Sequence, residues 1–240
     1  MTTEHHSILC ITPPHMLREI VTRGSSAQRD LALRTLTTTE QFRGVRQLYA
    51  DFPTLAAPTA GAGKQRIVYS ADQGSSLPGR KVRGEGDPAS GDVGVDEAYD
   101  GSGATYDLYS DVYQRNSIDG NGLRLDSTVH YQKGYDNAFW NGQQMVYGDG
   151  DEDQPPADRL FNRFTIAIDI IGHELTHGVT QYEAKLIYRN QSGALNESMS
   201  DVFGVLVKQR VLNQAADQAD ALTERLDQLD IPLEVSAHTS

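Results

Sequence analysis

His173, Glu174 and His177 stand together in the run His173-Glu174-Leu175-Thr176-His177. Side chains four apart share a helix face, so both imidazoles would project toward one point, with Glu174 within reach of it from the neighbouring position. Two imidazoles at this spacing suit zinc, and a carboxylate beside them suits the removal of a proton from water. Three ionisable groups inside an otherwise apolar run are costly to bury without partners, which weighs against two ordinary core histidines. Beyond His177 comes a second polar segment, Asn196-Glu197-Ser198-Met199-Ser200-Asp201. Catalytic zinc commonly takes three protein ligands and leaves a fourth position for water, so Glu197 reads as the third ligand. Asp201, one turn further along the same face, is placed to accept the other ring N–H of His173 and fix its tautomer.

These residues need two helices to hold them. Phe164, Ile168, Ile171, Leu175 and Val179 predict a long helix starting near residue 160, and Ile166, Ala167 and Ile170 make it apolar almost all round, hence buried. A second helix after Gly193 would turn Leu195, Met199, Val202, Phe203 and Leu206 inward. Upstream, residues 65–158 read as a β-rich domain of short alternating runs, such as Arg66–Tyr69 and Thr128–Tyr131, separated by turn clusters. Within it, 104–116 reads as a helix carrying Tyr106, Tyr109 and Tyr113. The zinc-site helices occupy 159–212, and a Gln/Asp/Ala-rich tail, 213–240, follows as a solvated helix or a loose end. Residues 1–50 form a leader of two short helices, the first with Thr12 as N-cap, Pro13 in the first turn and Gly24 past the end. Short amphipathic helices cannot bury their apolar faces alone, so the leader is expected to pack on the body. The Ala/Pro/Gly stretch 51–64 reads as an exposed linker and as the place where a propeptide would be cut.

Composition narrows the partners. The net charge of −12 argues against a nucleic-acid partner. Charge is unevenly spread: the first fifty residues carry six Arg, no Lys and four acidic residues, so a mildly basic leader precedes an acidic body and could dock on it electrostatically. No run reaches the ~18–20 apolar residues that a membrane helix needs, so no membrane partner is expected. The N-terminus has no basic head and its apolar run stops at Pro13, which does not read as a secretory signal and leaves cytoplasmic retention open. Cys10 has no second cysteine to pair with; a small buried hydrophobe in the leader is the simpler role than a latent-form zinc ligand. His5 and His6 read as a solvated terminus.

The segment Ile168–Gly204 (IDIIGHELTHGVTQYEAKLIYRNQSGALNESMSDVFG) resembles the zinc-site core of the thermolysin family, and the resemblance continues upstream through Val129–Asp151. The short leader with Pro13-Pro14 is similar to the propeptide of the protealysin subgroup. The fold this implies is α+β, a thermolysin-like zincin with a β-rich N-terminal domain, a central zinc-binding helix and a C-terminal helical lobe that is expected to be truncated here. The implied activity is that of a secreted zinc metalloendopeptidase precursor acting on polypeptides, with its own propeptide as a partner. His173, His177 and Glu197 would be the zinc ligands and Glu174 the proton shuttle. Tyr188 would donate to the oxyanion. Asn137, Ala138, Phe139 and Trp140 would form the substrate edge, to which an extended peptide adds as a strand. Asp169 matches a family calcium ligand, although Lys208 stands where an acidic partner is expected. The family's helical lobe also supplies an oxyanion-binding His for which this chain shows no motif, His238 lying in an unrelated context. The sequence therefore also admits an alternative, a truncated, weakly active or inactive zinc-binding homologue serving as a binding or regulatory module.

Overall fold

The computed structural model describes residues 11–51, 63–155, 159–186 and 190–228, with side chains through 42 in the first segment and 221 in the last. The proposed cleavage stretch lies almost wholly outside these residues, as do Tyr188, Cys10, His5, His6 and His238. In chain order the elements are helices α1 (Pro14–Arg23) and α2 (Ser26–Asp51), strands β1 (Arg66–Ser70) and β2 (Arg80–Gly84), helix α3 (Val93–Tyr113), strands β3 (Leu125–Val129), β4 (Ala138–Trp140) and β5 (Met145–Tyr147), and helices α4 (Ile168–Glu183) and α5 (Asn190–Gln228).

The sheet runs β2-β1-β3-β5-β4. β1 pairs in parallel with β3, and β3 with β5, while β2 and β4 close the edges antiparallel. α3 supplies the crossover that a parallel β1–β3 pair requires. Its N-cap is Asp92, whose carboxylate accepts from the Gly94 and Val95 amides and so satisfies two donors that a helix start leaves over. The helix is longer than the tyrosine spacing indicated, because the small residues Gly101, Ser102 and Gly103 are buried against neighbours and carry no apolar signal. At Gly101 an added Cβ would fall 2.3 Å from Ile171 of α4, so glycine sets that approach.

Strand alternation divides β4 between two clusters. Ala138 and Trp140 join the main core with Leu125, Met145, Tyr147, Ile171 and Leu175. Phe139 points the other way, to Tyr131, Tyr135 and Val146, where Phe42 of α2 lies 4.2 Å from its ring. The leader therefore covers the second face of the sheet, as its amphipathic pattern requires.

Four local expectations change. The first helix begins one residue later, with Pro13 at the N-cap position and Pro14 in the first turn, and Gly24 sits at φ −69° in place of a left-handed cap. The second leader helix is a long one reaching Asp51. The helix that carries His173 and His177 starts at Ile168, not near 160, after a separate 3-10 turn at Phe164–Ile166. α5 runs unbroken to Gln228, so the boundary expected at 213 is no structural break, and of the two readings of the tail the helix holds that far.

The inward face of α5 also differs. Leu195, Met199 and Val202 are 51%, 39% and 51% exposed, whereas Asn196, Ser200 and Val207 are buried. The reason is a close helix crossing. A Cβ on Gly204 would fall 2.5 Å from the Asp169 carbonyl oxygen and 3.0 Å from the His173 nitrogen, and a Cβ on Gly172 would fall 3.1 Å from the Gly204 Cα. Large side chains cannot stand in such a seam, so small and polar residues occupy it.

Candidate metal centre

α4 carries His173, Glu174 and His177 into the interior, where they are 6%, 0% and 0% exposed. α5 brings Glu197 against them across the glycine seam. His173 Nε2 lies 3.4 Å from Glu197 Oε2 and His177 Nε2 3.7 Å from Glu197 Oε1. One ligand atom from each of the three residues falls within 4.8 Å of the others. This is the triad the sequence spacing picked out.

The remaining ring nitrogens are engaged from behind. His173 Nδ1 donates to Asp201 Oδ1 at 2.9 Å, the tautomer-fixing contact expected for Asp201. His177 Nδ1 lies 2.8 Å from Asn196 Oδ1 and 2.9 Å from Ser200 Oγ. With Nδ1 of each ring occupied, Nε2 is the nitrogen each presents to the centre. Asn196 and Ser200 were missed by sequence reasoning. They repeat the Glu197/Asp201 spacing one residue earlier on the same helix, a signal that was available. Burial pulls the His173 pKa down, but Glu197, Glu174 and Asp201 together outweigh it and hold the imidazole above its ordinary value. A cation at that point would meet the same field.

Glu174 is held by the sheet. The Trp140 amide donates to Glu174 Oε2 at 2.9 Å, and the Trp140 indole N–H donates to Gln181 Oε1 at 3.1 Å, one α4 turn beyond His177. β4 thus fixes the carboxylate from the edge strand. Gly178 permits this approach, since a Cβ there would lie 2.8 Å from Ile118 and 3.3 Å from the Trp140 ring.

Of the expected substrate-edge residues, Trp140 adjoins the centre through its backbone, and Asn137 and Ala138 lie just upstream on the same edge. Phe139 is not brought to the centre; alternation turns its ring to the leader side. The Asn137 side chain is engaged by the leader: its Oδ1 accepts from the Thr12 amide at 3.1 Å and from the Ala138 amide at 3.0 Å, and its Nδ2 donates to Thr39 Oγ1 at 3.2 Å. Asp169 is ion-paired to Lys208, Nζ to Oδ2 2.9 Å, so the chain's own, solvent-exposed ammonium sits beside the residue matched to a calcium ligand.

Comparisons with known proteins bear on the family and the fold. A sequence model of the thermolysin metallopeptidase catalytic domain matches residues 64–181, and one of that family's α-helical domain matches 184–225, somewhat beyond the end of the visible motif resemblance. An extracellular metalloprotease of Pectobacterium carotovorum subsp. carotovorum is 49% identical over 90% of this chain and 59% of its own length. Protease PrtS of Photorhabdus sp. (strain Az29) is 43% identical over 91% of this chain and 58% of its own length. The solved precursor of protealysin from Serratia proteamaculans superposes with a TM-score of 0.72 at 50% identity, over 85% of this chain and 56% of that one. The chain thus spans under two thirds of the length of these relatives. A buried His/His/Glu centre on two helices, the match to both domain models and the shared fold have one common conclusion: this chain belongs to the thermolysin metallopeptidase family.

Proposed function

We propose that the chain holds one zinc ion through His173, His177 and Glu197 and serves in peptide-bond hydrolysis, in a form whose leader sits over the substrate edge. The observation that carries this reading is the convergence of three ligand atoms within 4.8 Å, beside a fully buried Glu174. The donor set fits zinc: two imidazoles with their second nitrogens engaged, and a carboxylate. When bound, zinc would polarise the scissile carbonyl and make water more acidic at neutral pH. Glu174 takes a proton from the attacking water and delivers it to the leaving amine, and the Trp140 amide keeps its carboxylate aimed. Burial suits Glu174 to this, because it keeps bulk water from the proton in transit. The edge of β4 around Asn137 and Ala138, buried in this form, would take the substrate backbone as an added strand once uncovered, and Tyr188 would donate to the oxyanion.

The leader's contact at Asn137 supports reading residues 1–50 as a propeptide with cleavage within 51–64, and the extracellular naming of the Pectobacterium relative supports secretion. Folded protein should carry about one zinc per chain by elemental analysis. His173→Ala and Glu197→Ala should lose it, whereas Glu174→Gln should keep the metal and lose hydrolysis of a chromogenic dipeptide. Metal-replete, folded protein without zinc would overturn the proposal.

A further inference from the structure

A second set of buried ionisable groups lies away from the metal centre, beneath the leader. Asp136 and Asp151 are 2% and 1% exposed, and the Gly150 amide, donating to the Tyr135 carbonyl at 3.3 Å, brings their two segments side by side. Each carboxyl leaves its Oδ1 without a hydrogen-bond partner, while Asp151 Oδ2 accepts from the Leu160 amide at 3.0 Å. Two carboxylates can only accept, so a hydrogen bond between them requires a proton on one. α2 lies over the pair. Thr35, fully buried, accepts from the Asp136 amide at 3.3 Å, and Leu31 packs so tightly on Gly134 that a Cβ there would fall 2.4 Å from its methyl.

We propose that Asp136 and Asp151 form a proton-sharing pair that the seated leader keeps dry, so that the leader's hold on the body weakens as this proton is lost. The other charged groups facing the pair are Arg34 and Asp30 on α2, and Lys133 and Asp153 on the body loops, which pair with each other at 3.3 Å. Burial, with Asp151 and Asp153 adding to it against the pull of Arg34, pushes the Asp136 carboxyl up to about 8. With the leader lifted, water reaches the pair and the carboxyl returns toward its ordinary value near ~4. The seated form then binds more protons than the lifted form between about pH 4 and 8. The hold therefore weakens with rising pH by up to about tenfold per unit across that window, and is level above it. This inference goes beyond the metal centre and does not depend on zinc.

Hydrogen–deuterium exchange on the full chain tests it, with intrinsic rates corrected at each pH. Protection of α1 and α2 amides should fall by up to about tenfold per pH unit from pH 5 to 8, then level off. Asp136→Asn and Asp151→Asn, which keep shape and remove the titration, should each flatten that slope in the leader. An infrared band of a protonated carboxyl at pH 7 should disappear in Asp136→Asn. Leader protection independent of pH, or both variants keeping the native slope, would overturn the proposal. So would the lack of a protonated-carboxyl band, the result expected if the pair were ionised around a bound cation.

Discussion

At the residue scale, the proposed metal centre depends on groups outside its ligand set. Asp201 and the Asn196/Ser200 pair each hold the back of one imidazole. Removing such a partner typically costs about 10–100-fold in metal affinity, because the ring loses its fixed tautomer and part of its basicity. Asp201→Ala and Asn196→Ala should therefore fold and still bind zinc, with affinity lower by about that factor in chelator competition. Asn196 is the sharper test, since it is 1% exposed and its loss leaves His177 only Ser200 behind Nδ1. Native affinity in Asn196→Ala would remove it from the centre. The His173–Glu174–His177 run was readable because helical geometry alone aims it. Asn196 and Ser200 were passed over because an amide and a hydroxyl on a surface-like helix carry no charge to mark them.

At the element scale, the position of α5 decides whether Glu197 reaches the histidines. α4 and α5 meet at Gly172 and Gly204, and at Gly204 the obstacle to any side chain is the α4 backbone, which cannot swing aside. Gly204→Ala must push the helices apart. Overpacking of this kind costs about 1–3 kcal/mol, and the displacement lengthens the path from Glu197 to both rings. The variant should melt lower than wild type and lose zinc affinity together, whereas Val205→Ala, at an exposed neighbouring position, should change neither. Hydrophobic periodicity was right for Phe203, which stacks on Tyr109, and for the half-buried Leu206, but not for Leu195, Met199 and Val202, for the same reason. A helix that crosses another closely is buried through its small residues, and Leu195, Met199 and Val202 are left facing outward.

At the scale of the whole molecule, charge pairs tie distant segments together. His130, at a left-handed φ of 54° just after β3, places Nδ1 2.9 Å from Asp149 and Nε2 3.0 Å from Asp92, the N-cap of α3. The Asp149 hydrogen bond, opposed by burial and helped by the charges of Asp149 and Asp92, pushes its pKa up to about 9. A base whose folded pKa is raised stabilises the fold fully below its unfolded value of about 6.5, and that contribution is lost as pH rises through about 9. The contribution is at most about 3 kcal/mol. The melting temperature should fall between pH 6.5 and 9, and His130→Gln should be less stable at neutral pH and lose that part of the slope. The Asp169–Lys208 pair leads to a different expectation. With an ammonium 2.9 Å from the carboxylate, calcium has no second anion at that position, so added calcium should not raise the melting temperature through the α4–α5 seam. Lys208→Glu should make the melting temperature calcium-dependent.

What the sequence determined by itself was local chemistry: two imidazoles four apart, the carboxylate between them, a second acidic pair one helix later, and an amphipathic leader that had to pack on something. These follow from helical period and from the cost of burying ionisable groups, and both act over a few residues. What only the tertiary structure decided was which surfaces meet. The glycine seam that seats Glu197, the β4 amide that aims Glu174, the leader's contact with Asn137 and the burial of Asp136 against Asp151 join residues far apart in the chain. No local pattern encodes such contacts, because each depends on the exclusion of water by an element that the residue's own neighbours do not contain.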